Sequence, residues 1–283
     1  MLSERLSLAL ETGALTLPPT GRIAVIGARA GTDLSALPKN RVVVVARHFP
    51  DHKAFQDAGY GVRTEIGGPY STAILCLPRA KAEARALIQQ ARAATSGVIA
   101  LDGQKTDGID SMLKAVRKRA DTGEPLSKAH GKLFTFFGGD FSDWAPAGTP
   151  LVAGKYQTVP GVFSADRIDP GSRELANALP KSLKGHVVDL GAGWGYLSDA
   201  ILSREGVTAL DLVEADHAAL EVARLNISDP RATFHWADAR TFRPDTPADH
   251  VVTNPPFHQS RAADPDLGRA FIRAAAGMLK PRG

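Results

Sequence analysis

The chain has 283 residues, with 34 Lys and Arg against 30 Asp and Glu, and its only cysteine is Cys76. A single cysteine excludes an internal disulfide and predicts a reducing, cytoplasmic location, and no apolar run reaches the roughly 20 residues of a membrane-spanning helix. Residues 1–150 hold 19 basic and 14 acidic side chains and the remainder holds 15 and 16, so the surplus of positive charge lies in the first half.

The first half alternates between apolar runs of buried-strand length and helical stretches, after a short helix predicted at residues 1–10 that carries Glu4 and Arg5. The further predicted elements are strands at residues 22–27, 41–46, 73–78, 97–101 and 132–137, and helices at residues 81–94 and 109–119. Alternation of this kind predicts an α/β sheet.

Basic residues fall at helical spacing near the end of the last of these helices: Lys114, Arg117, Lys118 and Arg119. Cations clustered on one side of a helix can meet phosphates, and a solvated helix face is the alternative interpretation. His48 and His52 stand four residues apart, but no third ligand sits at a recognisable spacing, so no metal site is predicted.

A turn-rich stretch at residues 138–154 separates the two halves. Beyond it, an apolar strand pattern containing Asp189 opens into a turn with glycine at every second position, Gly191, Gly193 and Gly195. Such glycines let the backbone approach a ligand closely, and the helix that follows presents unpaired N–H groups. Because position 196 is tyrosine, the spacing is GxGxG after an acid and not the GxGxxG of NAD and FAD sites.

Two further acids follow the next two strand patterns. Glu214 ends the strand at residues 207–214, and Asp238 follows the strand at residues 232–236. In doubly wound sheets an acid ending the second strand commonly binds the ribose hydroxyls of a nucleoside, and a carboxylate after the third can accept a hydrogen bond from an adenine amino group. A solvated loop carboxylate is the alternative for either residue alone. Their order along the carboxyl edge of the sheet favours a nucleoside site.

The fourth strand pattern, at residues 250–252, runs into the sequence TNPPF at residues 253–257. Two prolines fix φ, remove two backbone donors and bias Asn254 toward an extended conformation, so its side chain and the nearby carbonyls project in a defined direction. Phe257 offers a face for stacking. Taken alone, this run could be a strand-ending turn. After a nucleoside loop, it indicates a rigid lip that can hold a flat amine.

The chain resembles the class I S-adenosylmethionine-dependent methyltransferases that act on an exocyclic amine. Four features carry this resemblance together: the loop at residues 189–195, Glu214, Asp238 and the NPPF run at residues 254–257. A PGVFS run at residues 160–164, followed by the sequence DPGS at residues 169–172, narrows the resemblance. It is similar to the bacterial ribosomal RNA guanine 2-amino methyltransferases of the small-subunit methyltransferase C type and their large-subunit relatives. The motifs lie in residues 154–283, and over the first half the resemblance is one of organisation.

The resemblance implies a Rossmann-like methyltransferase domain in the second half, and the first half, with its own predicted α/β sheet, is interpreted as a degenerate copy in tandem with it. Residues 1–145 would form a degenerate domain that serves as a scaffold or RNA platform, and residues 146–283 a catalytic domain that binds S-adenosylmethionine. In the first domain, GARAG at residues 27–31 stands in place of the glycine loop, and LPR at residues 77–79 stands where NPP stands in the second. We therefore expect no cofactor in the first domain.

The reaction implied is direct methyl transfer to the 2-amino nitrogen of a guanine in ribosomal RNA, preferentially of the small subunit. An aromatic amine is a weak nucleophile, and the Asn254 Oδ1 and Pro255 carbonyl oxygens are suitable acceptors to orient it and stabilise its developing charge. The cofactor residues implied are Asp189, Gly191, Gly193, Gly195, Glu214, Asp238 and Asn254. The catalytic residues implied are Asn254, Pro255, Pro256 and Phe257. Phe257 and Phe163 are expected to bind the guanine, with a core position as the alternative for Phe163.

Two other interpretations stay open: a methyltransferase for another flat amine, adenine N6 or a protein glutamine, and a non-catalytic RNA-binding or ribosome-assembly protein. The expected partner is ribosomal RNA or a ribosomal subunit, with a monomeric chain, no membrane and no metal. The final LKPRG at residues 279–283 resembles the LKPGG turn that precedes the fifth strand in this family. We therefore expect a C-terminally truncated chain, a piece of one of roughly 330 to 340 residues, whose second sheet lacks its last strands.

Overall fold

A computed structural model describes residues 2–146, 148, 151–255 and 265–281 of the chain. The chain divides into two compact units, Met1–Ala147 and Gly148–Gly283. Each unit contains its own β-sheet with helices, so the predicted α/β class with a Rossmann-like sheet is confirmed. In the part of the chain that the structure describes, no helix is both long and apolar enough to cross a membrane.

In the described part of the first unit there are four α-helices and eight strands. The helices are α1 (Leu2–Glu11), α2 (Phe49–Asp57), α3 (Lys81–Ala94) and α4 (Ile109–Val116). The strands are β1 (Ile23–Ile26), β2 (Val42–Val45), β3 (Gly61–Arg63), β4 (Thr72–Cys76), β5 (Ile99–Gln104), β6 (Asp121–Thr122), β7 (Leu126–Lys128) and β8 (Gly131–Phe137). Their order in the sheet is β3-β2-β1-β4-β5-β8-β6, with β7 on β8. Strands β1 to β5 are parallel, and β8 is antiparallel to β5.

The central strands of this sheet are buried on both faces, because their sequences are continuous apolar runs such as IAVI in β1 and VVVV in β2. One hydrophobic cluster joins the sheet to α3 and α4 through Ile88 and Met112. A second cluster joins the opposite face to α1 and α2 through Leu6 and Phe55. Helix α4 ends at Val116, three residues before the predicted end.

A buried ion pair fixes α1 to the sheet. Arg5 is only 1% exposed, and its Nε and Nη2 atoms lie 2.5 and 2.9 Å from the two carboxylate oxygens of Asp102 in β5. Its Nη1 donates to the Lys128 carbonyl at 2.9 Å. A guanidinium taken out of water needs such a bidentate partner and a further acceptor. The charge at Arg5 therefore belongs to the core, although the sequence suggests only a charged N-terminal helix.

In the second unit the described residues form four α-helices and four strands. The helices are α5 (Pro170–Ala178), α6 (Tyr196–Leu202), α7 (His217–Asn226) and α8 (Pro265–Ala276). The strands are β9 (Gly185–Leu190), β10 (Val207–Glu214), β11 (Ala232–Trp236) and β12 (His250–Val252). All four are parallel, in the order β11-β10-β9-β12. The first four strands of the first unit have the same order, β3-β2-β1-β4.

Apolar clusters cover both faces of the second sheet. One contains Leu197 and Ile201 of α6 with Leu212 of β10, and the other contains Phe271 of α8 with Val213 of β10. Ahead of β12, the Ala248 N–H donates to the Met278 carbonyl at 2.8 Å, and the Lys280 N–H donates to the Ala248 carbonyl at 2.9 Å. The chain after α8 thus runs parallel to the edge of the sheet beside β12.

Candidate cofactor and acceptor site

The carboxyl ends of four parallel strands bring the predicted polar residues to one edge of the second sheet. Asp189 pairs in register with Val252 in β12, two residues before Asn254. Glu214 ends β10, and Asp238 follows β11 by two residues. The Thr253 hydroxyl donates to the Leu190 carbonyl at 2.7 Å, which ties the end of β12 to the end of β9. Asn254 therefore lies beside the start of the glycine-rich loop.

Glu214 holds the glycine-rich loop in place. One carboxylate oxygen accepts the Gly193 N–H at 2.8 Å, and the other accepts the Asp216 N–H at 2.7 Å. Burial raises the pKa of Glu214, while these backbone N–H groups act in the opposite direction. Gly193 has φ +57°, and a Cβ there would meet nothing within 4 Å. The loop is therefore held at Gly193, and the space beside this glycine is open.

Gly195, the last glycine of the loop, is required for packing. Its φ is +94°, and a Cβ there would lie 3.1 Å from Ile227 Cγ1 just after α7. This close approach brings the N-terminus of α6 against α7. Gly191 is also left-handed, with φ +81°.

Asp189 is fully buried beneath the loop. The Ser198 hydroxyl donates to Oδ2 at 2.6 Å, whereas Oδ1 has no partner among the described residues. Burial, with a smaller contribution from the nearby charge of Glu214, raises the pKa of Asp189 to about 7. An orphaned buried acceptor is costly and needs a donor. Asp189 is therefore suited to a cationic or N–H-bearing ligand group.

Asp238 binds its own turn. Its carboxylate forms a bidentate pair with the Arg240 guanidinium, at 2.9 Å from Nε to Oδ1 and 2.6 Å from Nη2 to Oδ2, and it also accepts the Arg240 N–H at 2.9 Å. The Arg240 side chain is 47% exposed and that of Asp238 is 14% exposed. Arg240 Nε also lies 3.0 Å from Oδ2, so each carboxylate oxygen accepts from two donors and a ligand amino group would have to displace an Arg240 contact.

The amide of Asn254 is held in one orientation by the start of α5. Its Nδ2 donates to Asp169 Oδ2 at 3.0 Å and to Ser172 Oγ at 2.9 Å. Asp169 is the N-cap of α5, since the same Oδ2 accepts the Ser172 N–H at 2.8 Å. Because a carboxylate can only accept, the amide nitrogen must face Asp169. No donor among the described residues reaches Asn254 Oδ1, which is left as an acceptor.

The PGVFS segment packs onto the glycine-rich loop. The Trp194 indole N–H donates to the Phe163 carbonyl at 2.9 Å, and the Trp194 ring is packed against Tyr156 with centroids 5.2 Å apart. Asn226 accepts the Gln157 N–H and donates to the Trp194 carbonyl, each at 2.8 Å. The Phe163 side chain is 64% exposed, so the alternative of a core phenylalanine is wrong.

Several functional contacts have no counterpart in the sequence interpretation. Asp169 and Ser172 carry part of the family resemblance, but nothing in their pattern connects them with Asn254. The spacing of an acid three residues before a serine, with proline between, is an N-cap signal that predicts the start of α5. Pro255 is partly buried beside Asn254. The predicted residues Pro256 and Phe257 lie outside the described residues.

The described residues contain no group of three or more His, Cys, Asp and Glu side chains placed to hold a metal ion.

The second unit has the arrangement of a methyltransferase α/β domain. It combines a parallel sheet, a GxGxG loop after the first strand, acids after the next two strands and an Asn-Pro lip at the same edge. Residues 154–283 match the family called methyltransferase small domain.

The chain is similar to several proteins named ribosomal RNA small subunit methyltransferase C. The protein from a Shewanella species is 26% identical over 302 residues, which cover 100% of this chain and 84% of the relative. The protein from Pseudomonas aeruginosa is 30% identical over 239 residues, which cover 76% of this chain and 68% of the relative. The chain belongs to the ribosomal RNA small subunit methyltransferase C family.

A solved structure shares the fold over almost the whole chain. It is the T. thermophilus 16S rRNA N2 methyltransferase in complex with AdoMet and guanosine. The TM-score is 0.81 at 24% identity, and the match covers 99% of this chain and 81% of that one.

Proposed function

We propose that this chain transfers a methyl group from S-adenosylmethionine to the exocyclic 2-amino group of a guanine in small-subunit ribosomal RNA. Membership of the family supports the reaction and the substrate. The observation that carries the proposal is the fixed amide of Asn254, whose Nδ2 is held by Asp169 and Ser172 while Oδ1 is left to accept.

The cofactor fits the groups at the sheet edge. Asp189 offers a buried acceptor without a partner, Glu214 offers the remaining lone pairs of its carboxylate at the end of β10, and Gly193 faces open space. In this assignment Glu214 takes the ribose hydroxyls, Asp238 takes the adenine amino group, and the N–H groups of the Gly191 to Gly195 loop face the remainder. Bound S-adenosylmethionine supplies an electrophilic methyl group on a sulfonium.

The acceptor side of the site works by orientation and electrostatics. Asn254 Oδ1 and the Pro255 carbonyl accept the two hydrogens of the guanine 2-amino group and direct its lone pair toward the methyl group. As the nitrogen bonds to carbon it gains positive charge, which these two oxygens stabilise without a strong base. We assign Phe257 and the exposed Phe163 to stacking on the base, and Pro256 to restricting this run through the fixed φ of proline. The N–C bond would form as the S–methyl bond breaks, leaving the cofactor as a neutral thioether, and the methylated nitrogen would then release one proton to water.

The two halves receive different roles. Residues 146–283 are the catalytic domain, and residues 1–145 are a degenerate methyltransferase-like domain acting as a scaffold or RNA platform. In the first unit the loop after β1 has its Ala30 N–H bonded to Asp51 Oδ1 at 2.8 Å, and Arg29 pairs with Asp51 Oδ2 at 2.9 Å. The GARAG sequence of this loop lacks the preceding acid and the alternating glycines of the second unit's loop, which supports the absence of a cofactor there. The working form is a cytoplasmic monomer that binds ribosomal RNA or a ribosomal subunit.

The test combines cofactor binding with product identification. Calorimetry with S-adenosylmethionine measures binding, and mass spectrometry of nucleosides from treated small-subunit rRNA identifies the product. We expect binding and the appearance of 2-methylguanosine, with product lost in Asn254→Ala while cofactor affinity is retained. No binding would reject the enzyme in favour of an RNA-binding protein. Methylated adenine in the rRNA would reject guanine as the acceptor. A methylated glutamine in a protein, with no methylated nucleoside in the rRNA, would also reject it.

A further inference from the structure

A basic cleft on the first unit lies between α3, α4 and the turn at Ser142–Trp144. Its volume is about 510 Å³, and it is lined by Arg85, Ser111, Lys114, Ala115, Lys118, Arg119 and Trp144. The cleft therefore gathers four cationic side chains from two helices and the turn after α4. None of its lining residues belongs to the second unit, to which the proposed reaction is assigned.

Trp144 fixes two of the four cations. Its ring is only 4% exposed and is packed against Phe141, with centroids 4.9 Å apart. The Cζ atoms of Arg85 and Arg119 lie 5.3 and 5.1 Å from the ring centroid of Trp144. Cation–π contacts at these distances hold guanidinium groups in place. Part of the side-chain entropy that a ligand would otherwise have to remove is therefore already lost when the protein folds.

The positive charge of the cleft is only partly neutralised. Arg119 forms a bidentate pair with Asp143, at 3.0 and 2.9 Å, and Asp140 also lies in its field. Within the described residues Arg85, Lys114 and Lys118 have no ion pair, and the buried Nε of Arg85 has no hydrogen-bond acceptor. Arg117 points elsewhere, toward Thr122 and Glu124. Lys114 also lies in the field of Asp110, so the cations are partly screened by acidic neighbours. Their remaining mutual repulsion is relieved by a bound anion.

We propose that this cleft binds phosphate groups of the RNA backbone and so anchors the substrate on the first unit. The inference rests on the proposed function, since it takes RNA as the substrate. An RNA strand fits better than a small phosphate metabolite, because the cations are distributed along an open groove. Lys114 and Lys118 stand four residues apart, and Arg85 approaches from a second helix. The first half also carries the surplus of basic residues.

The test uses the full chain and a fluorescein-labelled fragment of small-subunit rRNA, with binding followed by anisotropy at several salt concentrations. The variant is Lys114→Ala with Lys118→Ala, since both side chains are exposed and their loss spares the fold. Each phosphate contact contributes about 0.7 to the slope of log K against log salt for a single strand. We expect the slope to fall by about 1.4 and the affinity by about tenfold at low salt.

Two controls separate a site from general charge. Lys105→Ala with Lys128→Ala removes the same charge from exposed positions outside the cleft, and it should leave the affinity within about twofold. The double variant Lys114→Arg with Lys118→Arg keeps the positive charge of the cleft and should bind the RNA as the wild-type chain does. Equal losses in the cleft variant and the Lys105 control would overturn the proposal. Binding of inorganic phosphate, lost on removing Lys114 and Lys118 while RNA binding is unchanged, would also overturn it.

The proposal and the proposed function can fail separately. If the wild-type chain methylates rRNA and the cleft variant keeps its affinity and salt slope, the cleft is not an RNA site although the reaction stands. If no methyl transfer occurs but RNA binding depends on Lys114 and Lys118, the cleft stands and the reaction does not.

Discussion

Replacing Asn254 with aspartate tests the contact on which the acceptor geometry depends. Asn254→Asp exchanges the Nδ2 donor for an oxygen about as far from Asp169 as the present 3.0 Å contact. Two unit charges at this separation repel by about 5 kcal/mol at an effective dielectric constant of about 20. Partial exposure reduces this, and we expect roughly 2 to 4 kcal/mol of lost stability when both groups are ionised.

The sign of the pH dependence follows from proton binding. At acid pH the two carboxyls share one proton, which forms a hydrogen bond between them. The variant therefore loses little stability there. As the pH rises, the folded variant must release that proton against repulsion, so stability relative to wild type falls with pH and then levels off. In thermal unfolding we expect a small difference near about pH 5 and a midpoint roughly 10 °C below wild type near about pH 8.

Two companion variants decide whether the contact is real. Asn254→Ala removes the bond without adding charge, so its loss of about 1 kcal/mol should not vary with pH. Adding Asp169→Asn to Asn254→Asp reverses donor and acceptor, keeps a good N-cap for α5, and should recover most of the lost stability. The reasoning is refuted if Asn254→Asp and Asn254→Ala lose equal stability at every pH and the double exchange restores nothing.

Other variants test separate parts of the site. Glu214→Gln should weaken cofactor binding about tenfold in calorimetry, because a carboxylate acceptor is lost, and unchanged affinity would reject its assignment to the ribose. Since burial raises the pKa of Asp189 to about 7 from 3.8, its contribution favours folding at acid pH and is lost as the pH rises toward neutrality. Urea unfolding of Asp189→Asn should lack this decline, worth roughly 4 kcal/mol, and a decline equal to wild type would contradict the burial argument. Phe163→Ala should raise KM for RNA while leaving the unfolding midpoint unchanged, because the ring is 64% exposed; a large loss of stability would instead assign Phe163 to the core.

The sequence predicts the sheet and its edge because those signals are local. Strands β9 to β12 coincide with apolar runs that end in glycine, an acid or proline, and the carboxyl ends of parallel strands must meet. Short exposed strands such as β6 and β7 escape prediction, since two or three polar residues carry no periodic signal.

The contacts that orient the site could not be predicted from pattern. Asp169 and Ser172 meet Asn254 across more than 80 residues of sequence, and no local spacing encodes such a contact. The same holds for Arg5, whose charge is buried against Asp102 across the first unit. The contacts of Asn254 and of Arg5 have the same physical reason, because a buried polar group requires a partner.

The hydrogen bond from Trp194 to the Phe163 carbonyl has a thermodynamic consequence. It joins the loop assigned to the cofactor with the segment assigned to the base, so anything that orders one also orders the other. A neutral hydrogen bond is worth about 1 kcal/mol, so the coupling that it can carry between the two segments is at most about fivefold in affinity. Any coupling through this bond is reciprocal: the factor by which RNA changes the affinity for the cofactor must equal the factor by which the cofactor changes the affinity for RNA.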